Sequence, residues 1–250
     1  MPLNIPGILV PFHLLKNPRL VIPHVTVKDI RQIDFLALRN AGYRGAVFDK
    51  DNCLTIPYKD TLVPQLKDAW RECREAFGEE NVIIVSNSAG TKFDAGGIQA
   101  ESVSYHLSVP VLRHDTLKPG YSCITSIRTY FSSLHVPIPD NELVIVGDRI
   151  FTDVTMANRM CSGFPSSSSD APARARIGGP LAIWTDGVWQ KESMIMRWAE
   201  KRLVDVVRKW TRHGETSSVG SDIFVRELPS PEPRKTRSAL TTLLDLMKRR

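Results

Sequence analysis

Acidic, hydroxyl and amine side chains recur along the chain, most of them directly after a short apolar run. They are Asp49, Asp51, Ser86, Lys118, Asp148 and Asp153. A carboxylate can attack phosphorus to form an acyl phosphate, and a second carboxyl group can protonate the leaving oxygen and later deprotonate water. Asp49 and Asp51 stand two residues apart at the end of an extended segment, so they point to the same side. This pair therefore predicts phosphoryl-transfer chemistry.

The remaining residues of this series could stabilise the negative charge that is present during phosphoryl transfer. Carboxylates crowded around a phosphate dianion repel it, and Mg²⁺ relieves the repulsion because it prefers oxygen ligands shared with phosphate. Asp49, Asp148 and a backbone carbonyl are the candidate ligands. Lys118 would place a point charge on the transferring phosphoryl group, and the Ser86 hydroxyl would donate a hydrogen bond to it. The sequence therefore predicts a site that depends on Mg²⁺.

Short apolar runs indicate the strands that position these groups. The clear runs are 45–48, 82–85, 143–146 and 181–184, and a weaker fifth is 109–112. Their continuous apolarity is typical of strands covered on both faces, and hence of a parallel sheet with helices between the strands. The predicted crossover helices are 62–77, 120–134 and 152–160. This order predicts an α/β fold with a doubly wound parallel sheet.

The spacing of the polar residues fits that sheet. Asp49, Ser86, Lys118 and Asp148 are separated by about the length of one βαβ unit, roughly 30 residues or somewhat more. Ligands of open parallel sheets bind at the carboxyl ends of the strands, so successive strands can bring all four groups to one edge. These intervals are also too short for a large cap domain. We therefore expect an open site.

Four motifs resemble those of the haloacid dehalogenase superfamily, in the same order. They are Asp49-Lys50-Asp51-Asn52-Cys53-Leu54, Ser86-Asn87-Ser88, Lys118-Pro119, and Gly147-Asp148-Arg149 with Asp153, within residues 42–190. The resemblance implies a Rossmann-like core with Asp49 as nucleophile and Asp51 as acid/base. The phosphate-binding residues that it implies are Ser86, Asn87 and Lys118. The metal ligands that it implies are Asp49, the backbone carbonyl of Asp51, and Asp148, supported by Asp153. Cys53 departs from the Thr or Val common at its position, without removing a reacting group.

A narrower resemblance joins the chain to the mitochondrial phosphatidylglycerophosphate phosphatases of fungi and plants. Residues 47–55 and 146–160 carry it, together with Asn4-Ile5-Pro6-Gly7. The resemblance implies hydrolysis of phosphatidylglycerophosphate to phosphatidylglycerol, on the route to cardiolipin. It also implies a peripheral enzyme at the matrix face of the mitochondrial inner membrane, with anionic phospholipid and the membrane surface as partners.

The composition narrows the possible classes of binding partner but does not identify one. The formal net charge of +6 favours an anionic partner. The same chemistry on a nucleic-acid end or a phosphoprotein is an alternative, and a non-enzymatic scaffold that binds anionic lipid is another. Nucleic acid is not expected, because the chain lacks the aromatic-rich basic stripe of single-strand binders. The four cysteines are scattered, so neither a zinc site nor a disulfide framework is predicted. The sequence leaves a homo-oligomer open.

We expect four regions along the chain. They are an apolar, basic arm (1–41), the phosphatase core (42–190), a basic amphipathic helix (191–213), and a linker with a basic terminal segment (214–250). The arm suits either membrane contact or packing on the domain. A serine-rich insertion (165–180) interrupts the core. The helix is expected to pack on its own domain or on a partner, and membrane docking is the alternative. Its predicted apolar face comprises Met196, Ala199, Leu203, Val206, Val207 and Trp210.

Overall fold

A five-stranded parallel sheet forms the centre of the computed structural model, which describes residues 17–161, 178–190, 194–211 and 221–227. The strands are β1 (Val25–Val27), β2 (Gly45–Phe48), β3 (Val82–Ile84), β4 (Leu143–Gly147) and β5 (Leu181–Thr185). Their order is β1-β5-β4-β2-β3, and every pairing is parallel. In register, Val47 of β2 lies between Ile83 and Ile145. The predicted α/β class is therefore confirmed.

Six α-helices within the described residues connect or cover these strands. They are α1 (Phe35–Asn40), α2 (Lys67–Phe77), α3 (Ile98–Leu107), α4 (Tyr121–Ser132), α5 (Thr155–Met160) and α6 (Met194–Thr211). Helix α2 begins later than predicted, because Pro64 starts a 3₁₀ turn over Pro64–Leu66. Helix α5 follows a single π-helical turn, Ile150–Val154. The prediction missed α1 and α3.

The helices cover both faces of the sheet, as a doubly wound fold requires. On one face, α1, α2 and α3 pack against side chains such as Phe48 and Ile84. On the other face, α4, α5 and α6 pack against the alternating set, such as Val47 and Ile145. Every residue of β2, β3, β4 and β5 is buried. This explains why their sequences are continuously apolar rather than alternating.

The weak fifth strand predicted at 109–112 was wrong. Only Val111 forms a bridge, to Ile84. Pro110 has no N–H to donate. The segment therefore forms only two backbone hydrogen bonds with Ile84, one through the Pro110 carbonyl and one through the Leu112 N–H, and does not extend into a strand. The fifth strand is instead β1, which lies within the predicted arm and pairs with β5. The described part of that arm therefore belongs to the sheet domain.

The predicted apolar face of the last helix was right only in part, at Leu203 and Val207. Helix α6 packs on the domain through Glu200, Val204 and Val207, whereas Val206 and Trp210 are exposed. Apolar residues lie on more than one side of this helix, so periodicity alone does not define its rotation. Val204 and Val207 join the core beside α5 and β5, and this packing sets the buried face.

Some predicted features lie outside the described residues. They are the first part of the arm with Asn4-Ile5-Pro6-Gly7, most of the serine-rich insertion, and the basic terminal segment. No helix within the described ranges has both the length and the apolar character needed to cross a bilayer.

Candidate active site

The strand order brings the predicted residues to one edge of the sheet. Asp49 directly follows β2, and its N–H donates to the Val146 carbonyl of β4 at 2.9 Å. Asp148 directly follows β4, and Ser86 lies two residues beyond β3. Because β2 is flanked by β4 and β3, the carboxyl ends of these three strands are adjacent.

Three buried carboxylates form a cluster at this edge. One oxygen from each of Asp49, Asp148 and Asp153 lies within 4.8 Å of the others. Burial raises the pKa of Asp49, and the neighbouring Lys118 opposes that rise only in part. Burial, reinforced by the charges of Asp49 and Asp153, holds the pKa of Asp148 well above its usual range. Three carboxylates this close together fit a divalent cation, which would favour their charged forms.

Hydrogen bonds and close packing hold the Asp153 side chain in place within this cluster. Its Oδ2 accepts hydrogen bonds from the Arg149 N–H at 3.2 Å and the Thr152 hydroxyl at 3.0 Å. A Cβ at Gly147 would collide with the Asp153 side chain, so only glycine allows this close approach. The π-helical turn after β4 therefore fixes Asp153 against the strand end.

Lys118 lies between two of the carboxylates. Its Nζ is 2.6 Å from Asp49 Oδ1 and 2.7 Å from Asp153 Oδ1. Burial alone would lower the pKa of Lys118, but Asp153 and Asp49 outweigh it and hold the pKa above its ordinary value. Lys118 is therefore a fixed positive charge at the place where the sequence predicts a phosphoryl group.

Asn87 holds the loop that carries this lysine. Its Oδ1 accepts the Lys118 N–H at 2.7 Å, and its Nδ2 donates to the Lys118 carbonyl at 3.4 Å. The predicted contact between Asn87 and phosphate remains a prediction. In the structure the Asn87 amide is engaged by the lysine backbone.

Ser86 is fully buried at the start of the neighbouring loop. Its Oγ accepts the Ser88 N–H at 3.1 Å and lies 2.9 Å from Ser88 Oγ. His114 Nε2 lies 2.9 Å from the Ser86 carbonyl, and its Nδ1 lies 2.7 Å from the Thr116 carbonyl. His114 therefore links the Ser86 loop to the segment before Lys118.

The Asp51 side chain is held outside the carboxylate cluster. It is one-third exposed (33%). Its Oδ1 accepts from Lys50 Nζ at 2.7 Å and from the Tyr58 N–H at 3.2 Å, while Oδ2 accepts the Ser88 hydroxyl at 3.0 Å. Asn52 has a left-handed backbone (φ 60°), which turns the chain back after Asp51. The Asp51 side chain is therefore in contact with solvent, whereas Asp49 is buried.

Sequence reasoning gave no site role to three residues that contact the predicted ones. Lys50 has a fully buried side chain, and its Nζ also donates to the Lys59 carbonyl at 2.9 Å. Ser88 was within a recognised motif but had no role. Arg197 of α6 forms an ion pair with Asp148, and its side chain is only 12% exposed. Its position on the polar side of a basic helix gave no signal that it reaches the carboxylates.

The connections around the site are short. Between β2 and β3 the chain forms the Pro64–Leu66 turn, α2 and the Glu79–Asn81 turn, and between β3 and Lys118 it forms the Ala95–Gly97 turn and α3. No large cap domain interrupts the described residues. The short connections agree with the expected absence of a large cap, and the open site itself remains a prediction.

The chain matches the family described as mitochondrial PGP phosphatase over residues 5–164. Phosphatidylglycerophosphate phosphatase 1 of Arabidopsis thaliana is 32% identical, covering 85% of this chain and 55% of the relative. The Chlamydomonas reinhardtii protein of that name is 40% identical, covering 57% and 51%. A probable mitochondrial phosphatidylglycerophosphatase of Schizosaccharomyces pombe is 33% identical, covering 81% and 94%.

The chain spans about half the length of the plant and algal relatives, and nearly all of the S. pombe one. No solved structure gives a significant match. The family match includes all the residues of the predicted site, from Asp49 to Asp153. The resemblance to the fungal and plant enzymes is therefore confirmed, and the chain belongs to the mitochondrial PGP phosphatase family.

Proposed function

We propose that this protein is a Mg²⁺-dependent phosphatase that hydrolyses phosphatidylglycerophosphate to phosphatidylglycerol through an aspartyl-phosphate. The observation that carries the mechanism is the contact of Lys118 Nζ with both Asp49 and Asp153, which puts a buried cation beside the candidate nucleophile. The names of the fungal, plant and algal relatives support the substrate. The reaction converts a phosphomonoester and water into an alcohol and inorganic phosphate.

In the first step, one Asp49 oxygen forms a bond to phosphorus as the bond to the glycerol oxygen breaks. The leaving oxygen takes a proton from the Asp51 carboxyl group. Lys118 holds negative charge on the phosphoryl group, and the Ser86 hydroxyl donates to one of its oxygens. Asn87 keeps Lys118 in place through the two backbone hydrogen bonds.

In the second step, Asp51 removes a proton from water as the water oxygen attacks phosphorus and releases Asp49. The exposure of Asp51 supports this role, because water can reach its carboxylate, and the proton that Asp51 removes restores the acid with which the first step begins. Ser88 and Lys50 orient the Asp51 carboxyl group throughout. Mg²⁺, held by Asp49, Asp148 and the backbone carbonyl of Asp51 with Asp153 behind them, would neutralise the charge that accumulates on phosphate and carboxylates.

The proposal extends to the setting of the enzyme. We infer peripheral attachment at the matrix face of the mitochondrial inner membrane, supported by the mitochondrial label of the S. pombe relative. An open site suits a headgroup that projects from a bilayer. The catalytic unit would comprise the sheet domain from β1 to β5 with α6 packed on it, and the terminal segments would be appended to it.

The test is phosphate release from phosphatidylglycerophosphate in mixed micelles, with Mg²⁺ or with EDTA. We expect wild-type turnover with Mg²⁺ and a loss of at least about 10³-fold in Asp49→Asn, because the nucleophile is gone. Asp68→Asn, on the exposed side of α2, is the matched control and should retain full activity. If wild type releases no phosphate from this lipid but hydrolyses an aryl phosphate or a 5′-phosphorylated oligonucleotide, the lipid assignment is wrong and the proposed phosphatase mechanism is retained.

The metal is tested without turnover, by thermal unfolding. Mg²⁺ at 100 times its dissociation constant should stabilise wild type by about 2.7 kcal/mol. Asp148→Asn should remove most of that shift, whereas Asp68→Asn should retain it. An equal Mg²⁺ shift in wild type and Asp148→Asn would contradict the proposed ligand set.

A further inference from the structure

Helix α6 presents two different faces. Its inner face, with Val204 and Val207, is buried against the domain. Its outer face exposes large apolar side chains: Trp198 is 62% exposed, Val206 62% and Trp210 71%. Successive residues of an α-helix are about 100° apart. Trp198 and Val206 therefore lie opposite Glu200 and Val204, and Trp210 lies at the margin of the exposed side. We call these three residues, with the charged residues described next, the outer surface of α6.

Exposed cations alternate with these apolar side chains. Lys201, Arg202 and Lys209 lie on the outer surface, and the Arg202 guanidinium lies 5.4 Å from the centre of the Trp198 ring. Asp205 is the one acidic residue among the described residues of this face. Lys201 is 3.7 Å from Asp186, which offsets part of its charge. The outer surface therefore combines tryptophan with an excess of positive charge.

This combination matches an anionic bilayer. An indole ring places its apolar body at the level of the lipid glycerol and its N–H in the wetter headgroup layer. Lysine and arginine side chains extend along the apolar surface and place their charges on acidic headgroups. The net charge of +6 for the whole chain adds long-range attraction to the same partner. We propose that the outer surface of α6 is the site at which this protein docks on an anionic phospholipid bilayer.

The same helix contacts the candidate active site. Arg197 precedes Trp198 in the chain and forms the ion pair with Asp148. A docked α6 therefore holds the carboxylate cluster about one helix diameter, roughly 10 Å, from the headgroups. This part of the inference rests on the proposed function, because only there does the distance between the headgroup layer and Asp49 matter. The docking itself does not require turnover.

The test is co-sedimentation of the full chain with vesicles of phosphatidylcholine, with or without phosphatidylserine. Neither lipid carries a phosphomonoester, so binding reports the surface rather than the active site. We expect binding only to the anionic vesicles, and weaker binding at high salt. Trp198→Ala/Trp210→Ala should reduce it by at least about tenfold, because two aromatic side chains no longer enter the interface. Arg202→Gln/Lys209→Gln should weaken it and reduce its dependence on salt.

Lys67→Gln/Tyr105→Ala is the matched control, because both residues are exposed on other helices. It should bind as wild type does. Each variant is also assayed on a soluble aryl phosphate, where unchanged turnover shows that the fold and the site are intact. Wild-type affinity in the tryptophan variant would overturn the proposal. A wild-type dimer that the tryptophan substitutions dissociate, without vesicle binding, would assign the surface to a second copy and also overturn it.

The two proposals fail in different ways. If wild type binds anionic vesicles through α6 but never releases phosphate from phosphatidylglycerophosphate, the docking stands and the proposed function falls. If wild type hydrolyses this lipid in micelles while the tryptophan substitutions leave vesicle binding unchanged, the function stands and the docking falls.

Discussion

Lys118 and Asp153 form an ion pair in which both side chains are 2% exposed, with Nζ 2.7 Å from Oδ1. Asp153 is fixed against the end of β4. Lys118 Nζ forms an ion pair with it and also donates a hydrogen bond to Asp49. A charge held this way would keep its place if Asp49 changes from carboxylate to the proposed acyl phosphate. We therefore expect this buried contact to contribute both to stability and to the proposed catalysis.

Substitution of Lys118 should affect both properties. Lys118→Met removes the cation between two buried carboxylates, and we expect a loss of about 3 kcal/mol in the free energy of unfolding, measured in urea without Mg²⁺. Phosphate release should fall to background. Lys118→Arg retains the charge and should be more stable than Lys118→Met. Lys92→Met, at an exposed lysine, controls for loss of charge. Wild-type stability in Lys118→Met would refute this account of the ion pair.

The Ser88 hydroxyl should contribute to turnover through Asp51. Ser88→Ala removes one of three donors to the Asp51 carboxyl group. A hydrogen bond to a charged group is worth about 1.5–3 kcal/mol, so we expect a decrease in kcat of about 10- to 100-fold on a soluble aryl phosphate. Thr125→Ala removes a hydroxyl from the exposed side of α4 and should leave kcat unchanged. Equal kcat in Ser88→Ala and wild type would show that Ser88 does not orient the acid/base.

Arg197 should oppose metal binding while it stabilises the metal-free protein. Its guanidinium contacts Asp148 where the divalent cation is proposed. Arg197→Gln should lower stability in EDTA, because a buried carboxylate loses its partner. It should also tighten Mg²⁺ binding by about tenfold in calorimetric titration, since one nearby positive charge is removed. Arg202→Gln, on the exposed side of the same helix, is the control. Weaker Mg²⁺ binding in Arg197→Gln would instead indicate that Arg197 orients Asp148.

His24 should make the protein sensitive to acid. Its Nδ1 accepts the Ala182 N–H at 2.9 Å, and burial lowers the pKa of His24 to about 4. Below the unfolded-state pKa of about 6.5, the unfolded chain binds a proton that the folded chain excludes. Stability from this group is therefore complete above about pH 7 and is lost as the pH falls from about 6.5 to 4, by about 3 kcal/mol.

Chemical unfolding at several pH values measures this loss. His24→Gln keeps an acceptor for the Ala182 N–H and cannot titrate, so its stability should change less between pH 7 and 4. His106→Gln, at an exposed histidine, should behave as wild type does. The same pH dependence in His24→Gln and wild type would rule out His24 as the source.

The sequence predicts the centre of this fold better than its margins. Strands β2, β3 and β4 are buried on both faces, so their apolar runs are clear in the sequence, and the position of Asp49 and Asp148 at the sheet edge follows from their places after those runs. Strand β1 has only three residues, Val25–Val27, and its middle residue is exposed. Such a segment carries too little pattern to be distinguished from an irregular arm.

The parts of the site that the sequence did not predict depend on tertiary structure. Arg197 reaches Asp148 because Val204 and Val207 set the rotation of α6, and the helix has other apolar residues that favour a different rotation. Ser88 reaches Asp51 because the turn at Asn52 redirects the chain. Neither contact has a local signal, since each joins residues far apart in the sequence.

The position of β1 at the edge of the sheet, beside β5, determines the order in which the sheet can be completed during synthesis. His24 and Ala182, which meet where these strands begin, are 158 residues apart in the chain. Strands β2, β3 and β4 can pair as soon as they leave the ribosome, but β1 has no neighbour until β5 follows. Strand β1 of a nascent chain therefore remains unpaired longer than the other strands of the described sheet, until synthesis has passed β5.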